Sequence, residues 1–291
     1  MSRLGAVGSL LLVAVVEVAG QAAAPEPTLP GLPASVRSAG AGGISVALPG
    51  DAAVVFDNPS AIGPIRRFAI EGSYARLPDD RWYTTGAAAV RVGQWSAGGG
   101  YRYLRYPAGD PITDNLQWVG AISTRVQGVH LGVAANYVSV EDSSGAIFRT
   151  LTEDLGITVA FFDIAAAALS FENVGRHRLT GERLSLPSAT HLGFSLNLID
   201  TYSHGRLLAM LETTWSEGER RTVVGLEGGA VFGGVGLVAR IGHGGQQAGE
   251  DVSKTSYGAS VVLGRARLDY AYQPRSLIGR SVHLFGVHWT P

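Results

Sequence analysis

Carboxylates and guanidinium groups are scattered through this chain in near-equal number, and their pairing decides what chemistry it could do. Glu71, Asp154, Glu172, Glu212, Glu227 and Asp269 stand among Arg125, Arg206, Arg240 and Arg267, with Asn136 nearby. Two carboxylates flanking one bond could run acid/base catalysis. Carboxylates interspersed with arginines read instead as a network that neutralises itself, because a buried charge needs a partner.

Seven histidines raise metal and nucleophile chemistry. His130, His191 and His283 fall within expected strands, and His177, His204 and His243 in expected links or turns. No pair shows the i, i+4 spacing of a helical zinc site, and the chain has no cysteine, so no metal and no cofactor are expected. Nucleophilic catalysis needs a serine within reach of a histidine. A His-x-Ser pair would place both on one strand face, and none occurs. Ser203-His204 are adjacent and would point to opposite faces. A non-enzymatic chain is expected.

The elements that carry these charges are strands. Leu192, Phe194, Leu196 and Leu198 interleave with His191, Gly193, Ser195 and Asn197, and this alternation recurs in segments of roughly ten residues, the length that spans a bilayer as a tilted strand. The expected strands are 67–76, 82–92, 95–105, 116–126, 129–140, 151–161, 164–173, 189–198, 206–215, 221–232, 235–242, 255–263, 266–273 and 281–290. Odd-numbered links read as longer: Leu77–Arg81, Tyr106–Asn115, Glu141–Thr150, Val174–Ser188, Ser216–Arg220, His243–Lys254 and Pro274–Arg280. Even-numbered links read as tight turns: Gly93-Gln94, Gln127-Gly128, Phe162-Asp163, Gly233-Gly234 and Gly264-Arg265, with Ile199–Gly205 the exception.

Alternating loop length, an even strand number and a charge-free face together predict an all-β, antiparallel up-and-down transmembrane barrel of about fourteen strands. One face carries Phe68, Ile70, Tyr74, Val129, Leu131, Val133, Tyr137, Leu268, Tyr270 and Tyr272. The other carries Glu71, Arg125, Asn136, Asp154, Glu172, Glu212, Glu227, Arg240, Arg267 and Asp269, the expected lumen charge network. A charge facing the bilayer midplane costs about 2–4 kcal/mol, so the sorting is informative. Trp82, Trp95, Tyr106, Trp118, Trp215 and Trp289 lie near strand ends, as an interfacial girdle requires. The lumen face reads as Gly, Ala and Ser with paired charges, poor in large apolar residues. Phe285, Val287 and Trp289 alternate correctly in the last strand, though Thr290-Pro291 follow.

Bulk properties agree. Of 291 residues, 16% are charged, well below the roughly one quarter of soluble domains, and 40 are glycine. A net charge of −1 gives no electrostatic case for nucleic acid. Arg3, the apolar stretch Leu4–Val18 and small residues Gly20–Ala24 read as a signal peptide over 1–24, with an uncleaved anchor as the alternative. Residues 25–36, with Pro25, Pro27, Pro30 and Pro33, read as an extended periplasmic lead. Residues 37–64 are Gly-rich and distinct, and the barrel would occupy 65–291.

The segment Ala39–Ile62 resembles the N-terminal signature of the PorV/PorQ family and its FadL-type fatty-acid-transporter relatives: a glycine cluster (Gly40, Gly42, Gly43), an acid (Asp51), and an Asn-Pro-Ala-like turn (Asn58-Pro59-Ser60). Phe171-Glu172-Asn173-Val174-Gly175 is similar to that family's Gln-Asn-Leu-Gly, and Leu268-Asp269-Tyr270-Ala271-Tyr272 to its penultimate strand. The resemblance implies that 37–64 folds into the lumen as a hatch, with Gly42, Gly43, Asp51, Asn58 and Pro59 as gating residues. The alternative is an ordered periplasmic collar.

The leading expectation is therefore an outer-membrane barrel of PorV/PorQ type serving protein secretion or surface delivery, using external links such as Val174–Ser188 and His243–Lys254. The competing expectation is a FadL-like transporter of hydrophobic small molecules. A purely structural barrel is the third. Expected partners are outer-membrane lipid, secretion-system or exported proteins, and a hydrophobic ligand.

Overall fold

Alternation places every second side chain on one face of a strand, and a strand that closes with its neighbours into a ring leaves no unpaired edge for lipid to meet. The computed structural model of this chain follows that logic. It describes residues 29, 32–48, 50–77, 80–107, 110, 114–141, 144–161, 164–180, 186–201, 205–244, 255–274 and 281–291. The expected signal peptide, residues 25–28 of the expected lead, Ser203-His204, Phe162-Asp163 and the greater part of the link at 245–254 lie outside the described residues.

Fourteen antiparallel strands close into one barrel. The first seven are β1 Phe68–Arg76, β2 Trp82–Val92, β3 Trp95–Arg105, β4 Asp114–Val126, β5 Val129–Glu141, β6 Ile147–Phe161 and β7 Ala165–Thr180. The rest are β8 Ala189–Thr201, β9 Gly205–Ser216, β10 Glu219–Phe232, β11 Val235–Gly244, β12 Thr255–Leu263, β13 Ala266–Gln273 and β14 Val282–Trp289. Each strand pairs with its neighbours in sequence, and β14 returns to pair with β1 through Ile70↔Trp289, Glu71↔His288 and Tyr74↔Phe285.

The outer face is exposed and apolar: Ile70, Leu131, Val133, Leu155, Phe194, Leu226 and Phe285 all point away from the lumen. The inner face is buried and mixed, with Glu71, Arg102, Asn136, Asp154, Glu212, Glu227, Arg240 and Asp269 all below a tenth exposed. Trp95 and Trp118 stand exposed on the outer face, and Phe68 packs edge-on against Trp289 with ring centroids 6.0 Å apart.

Three expectations are corrected. Link 9 is no longer loop: Glu217-Gly218 alone joins β9 to β10, with φ of 51° and 84°, the double positive φ that a two-residue hairpin turn demands. The sequence's charged run there disguised a tight turn. Second, β7 runs on through Val174 and His177 to Thr180, rather than ending near Asn173. Asn173 adopts φ 54° and inserts a bulge, shifting the register on β6 between Glu153 and Leu155. Asp154 Oδ1 accepts the Asn173 N–H at 2.8 Å, so the strand absorbs the irregularity and continues. His243, likewise, belongs to β11 and not to a link.

Third, of the expected 25–36 lead the structure describes residues 29 and 32–36, and these are packed rather than free. Leu29, Leu32, Ala34 and Val36 are all buried against the inner wall. Residues 32–48 and 50–65 lie inside the barrel, with a short helix α1 (Val36–Gly40) and two 3-10 turns, Ala52–Phe56 and Pro59–Ile62. Ser35 caps α1 by accepting the Arg37 N–H at 3.2 Å, and Asn58 caps the second 3-10 turn by accepting the Ser60 N–H at 3.0 Å.

Candidate functional site

Small residues decide how the lumenal segment sits. A Cβ added at Gly40 would lie 2.8 Å from the Cα of Gly258 on β12, so helix and wall meet backbone to backbone. Gly242 on β11 and Gly132 on β5 are likewise approached by backbone, of Ala41 and of Pro59-Ser60, whereas Gly225, Gly193 and Gly156 on β10, β8 and β6 make room for the side chains of Ile44, Val46 and Asn58. Gly42 and Gly43 hold φ of 81° and 94°, a left-handed turn that ends α1 and sends the chain across the lumen.

Charge then locks it. Arg37 grips Glu227 of β10 with two parallel hydrogen bonds, Nε to Oε2 at 2.7 Å and Nη2 to Oε1 at 2.8 Å. Glu227 Oε2 also accepts from Arg240 Nε at 2.6 Å, and Arg240 Nη1 reaches Asp269 Oδ1 at 3.3 Å. Asp269 Oδ2 accepts from Arg267 Nε at 2.7 Å. Arg267 Nη1 donates to Asp51 Oδ1 at 3.1 Å, and Asp51 Oδ2 accepts from Arg37 Nη1 at 3.3 Å. The result is a closed ring of alternating charge, Arg37–Glu227–Arg240–Asp269–Arg267–Asp51, with Arg37 and Asp51 from the segment and the others from the wall. Ser260 adds a hydrogen bond to Asp269. Burial opposes the charge on Asp51, but Arg267 and Arg37 overcome it and hold that carboxyl well below the usual carboxylate range.

A second lock sits on the opposite wall. Asn58, fully buried, donates from Nδ2 to the Val46 carbonyl at 2.8 Å and to Thr158 Oγ1 at 3.0 Å. Its Oδ1 accepts from Ser60 Oγ at 2.6 Å, and Ser60 Oγ lies 2.7 Å from Thr158 Oγ1. Pro59 supplies the fixed φ that starts the turn, and Ser60 spends its hydroxyl on this wall contact. Glu212 on β9 accepts the backbone N–H groups of Ser45 and Val46 at 2.8 and 3.1 Å, and His191 lies between Glu212 (3.0 Å) and Glu172 (3.3 Å). Asp57 pairs with Arg102 of β3 at 2.9 Å, and Arg102 lies 4.4 Å over the Phe56 ring. Burial, with Glu172 and Glu212 nearby, pushes the Asp57 carboxyl up to about 6 despite Arg102.

The sequence-derived lumen residues thus separate into groups. Glu227, Arg240, Arg267 and Asp269 enter the ring. Asp154 joins Asn136 (2.5 Å), and Gln117 donates to Asn136 at 3.1 Å. Glu172 and Glu212 flank His191. Glu71 lies under Asp51. Arg125 stands exposed at the end of β4 beside the short link, apart from these groups. Arg37, Asp57, Arg102, Thr158 and His288 carry roles that the sequence reading did not assign. Arg102 could have been read from the inward parity of β3, and Arg37 from its isolation as a cation in a run of small residues.

Leu284, Tyr83 and Leu104 place large apolar side chains on the lumen face, more than the sequence suggested. Ala271, Leu284, Ala75, Tyr83 and Leu104 are successive register partners across β13, β14, β1, β2 and β3, all buried and all facing inward. They lie beside the link that follows β1, and Leu29, Leu32 and Val36 fill the space they enclose. Tyr83 donates its hydroxyl to the Pro33 carbonyl at 2.6 Å. At the other end, beneath Glu227, a cavity of about 280 Å³ is lined by Arg206, Gly229, Val231, Val238 and Val262 among others.

No family model and no curated protein matches the chain. Solved structures do. The toluene transporter TbuX of Ralstonia pickettii aligns with a TM-score of 0.59 at 11% identity, over 90% of this chain and 98% of that one. The toluene transporter TodX of Pseudomonas putida gives 0.58 at 10%, over 87% and 96%. A FadL homologue of Pseudomonas aeruginosa gives 0.52 at 12%, over 86% and 96%. At these identities the likeness establishes a shared fold, that of FadL-type outer-membrane barrels.

Proposed function

We propose that the chain is a non-enzymatic outer-membrane transporter of hydrophobic small molecules, and that residues 32–65 are its movable hatch. The observation that carries this reading is the apolar row Ala271–Leu284–Ala75–Tyr83–Leu104, whose interior is filled by Leu29, Leu32 and Val36 of the chain's own N-terminal segment. A hydrocarbon that takes the place of those side chains gains comparable burial, about 25 cal/mol per Å² of apolar surface, so exchange costs little. The long links then face the exterior and the short ones the periplasm, and export through a cleaved signal peptide delivers the chain. The ionic ring sits below the apolar row and keeps water-filled leakage closed until the segment moves.

The shared fold with two toluene transporters supports the substrate class, monoaromatic or similarly compact hydrocarbons. The secretion role implied by the resemblance of Ala39–Ile62 to PorV/PorQ rests on that resemblance. Residues 181–185 and 245–254, within the links that would dock exported proteins, lie outside the described residues.

The test is uptake of labelled toluene at low concentration by cells that express the chain in place of their own hydrocarbon channels. Uptake several-fold above vector cells is expected. Equal uptake, with folded barrel present in the outer membrane, overturns the reading.

A further inference from the structure

Glu71 is a buried carboxylate beside the ionic ring that does not enter it. Glu71 is 3% exposed and accepts one backbone N–H, from Ala53 to Oε2 at 3.2 Å. Among the described residues the basic side chain at ion-pair distance from it is His288, at 3.8 Å. A buried carboxylate without a cation is costly by several kcal/mol, so this position calls for positive charge.

His288 is the register partner of Glu71 across the β1–β14 seam and is 5% exposed. Its Nδ1 makes no hydrogen bond. That nitrogen points between two carboxylate oxygens, 3.6 Å from Asp51 Oδ1 and 3.8 Å from Glu71 Oε2. The three residues each offer a donor atom within 4.8 Å of the others. Gaps of 3.6 and 3.8 Å are too long for hydrogen bonds. They suit donors that share one ion, since bonds of about 2.0–2.2 Å set neighbouring ligand atoms roughly 3–4 Å apart.

We propose that Asp51, Glu71 and His288 bind a divalent metal ion of the zinc class. A nitrogen donor argues against calcium and magnesium, which take oxygen sets, whereas one imidazole with two carboxylates suits zinc and its first-row neighbours. Three protein ligands leave a fourth position for water. Arg267 and Arg37, each hydrogen-bonded to Asp51, orient its carboxylate. The ligands come from the lumenal segment, the first strand and the last strand, so one ion would tie the segment to the place where the barrel closes. This proposal does not depend on what the barrel transports.

The test uses the full folded chain in detergent, stripped with a chelator and titrated with Zn²⁺ alone. Uptake of about one equivalent at micromolar or lower concentration is expected, with a rise in thermal midpoint that chelator reverses. Glu71→Gln and His288→Gln abolish the uptake. His283→Gln, on the outer face of the same strand, retains it. Absence of stoichiometric zinc uptake by the wild-type chain overturns the proposal, and that arm needs no variant to fold. Uptake that survives both Glu71→Gln and His288→Gln overturns it as well.

Discussion

Arg37 and Glu227, 190 residues apart, face each other through two parallel hydrogen bonds of 2.7 and 2.8 Å, both side chains buried inside the barrel. One comes from a five-residue helix, the other from the tenth strand. Their pairing makes the lumenal segment and the wall a single charge system, and it sets the first expectation.

Arg37→Ala leaves Glu227 with Arg240 but opens the ring and strands Asp51 with one arginine fewer. Removing one member of a buried ion pair costs about 3–5 kcal/mol. The barrel strands stay paired, so the loss falls on the segment. Limited proteolysis should cut between Leu32 and Ile65 in the variant and not in the parent. Arg37→Lys rescues poorly, because an ammonium cannot supply the two-pronged contact.

Gly258→Val tests the backbone approach. Gly40 leaves no room for a side chain there, with a Cβ at Gly258 meeting the Gly40 Cα at 3.0 Å. Overpacking of this kind costs about 1–3 kcal/mol, taken by displacement of α1. Gly264→Ala, at a turn where an added Cβ meets nothing within 4 Å, serves as a control for general glycine loss, although its φ of 60° adds local strain. Proteolysis of the segment should accelerate in the first variant alone.

Asn58→Ala removes the acceptor for Ser60 and the donor to Val46 and Thr158 in one step. Each buried group left unsatisfied costs about 1–3 kcal/mol. The expected result is loss of segment protection comparable to Arg37→Ala, with Asn58→Asp no better because an ionised side chain cannot donate to the Val46 carbonyl.

Asp57 gives a pH dependence whose sign follows from its raised carboxyl. Its folded value of about 6 lies above the ordinary 3.8, so the folded state holds its proton more tightly than the unfolded one. The contribution to stability is full below about pH 4 and is lost as pH rises through 6. The groups facing it are Arg102, Glu172, Glu212 and His191. Subtracting the thermal stability of Asp57→Asn from that of the parent at each pH should expose a decline between pH 4 and 6. A flat difference contradicts the assignment.

The barrel was legible because lipid enforces it. Charge on the outer face is expensive, so Leu131, Val133, Phe285 and Val287 alternate without interruption and betray the strands. β2, β3, β12 and β13 carry the same bounds in sequence and structure for that reason. Interruptions hid the rest. Asn173 looked like a strand end because Asn173-Val174-Gly175 resembles a strand-ending motif, whereas its N–H bonds to Asp154 and β7 proceeds past the bulge. The lumenal contacts were less legible because they are long-range: Arg37 with Glu227, Asn58 with Thr158, and Asp51, Glu71 and His288 meet through closure of the ring. Sequence periodicity reports a face and not a neighbour across the bore.

The proposed hatch is tested most directly by tethering it. The chain has no cysteine, so a single engineered pair reports without competing thiols. Val36→Cys with Gly286→Cys places the two Cβ atoms about 3.3 Å apart, close to disulfide range, between α1 and β14. Toluene uptake is measured in cells carrying this variant, oxidised and then reduced. Uptake lost on oxidation and restored by reductant is the predicted result. Uptake that is the same in both states, with the disulfide verified, contradicts a moving segment.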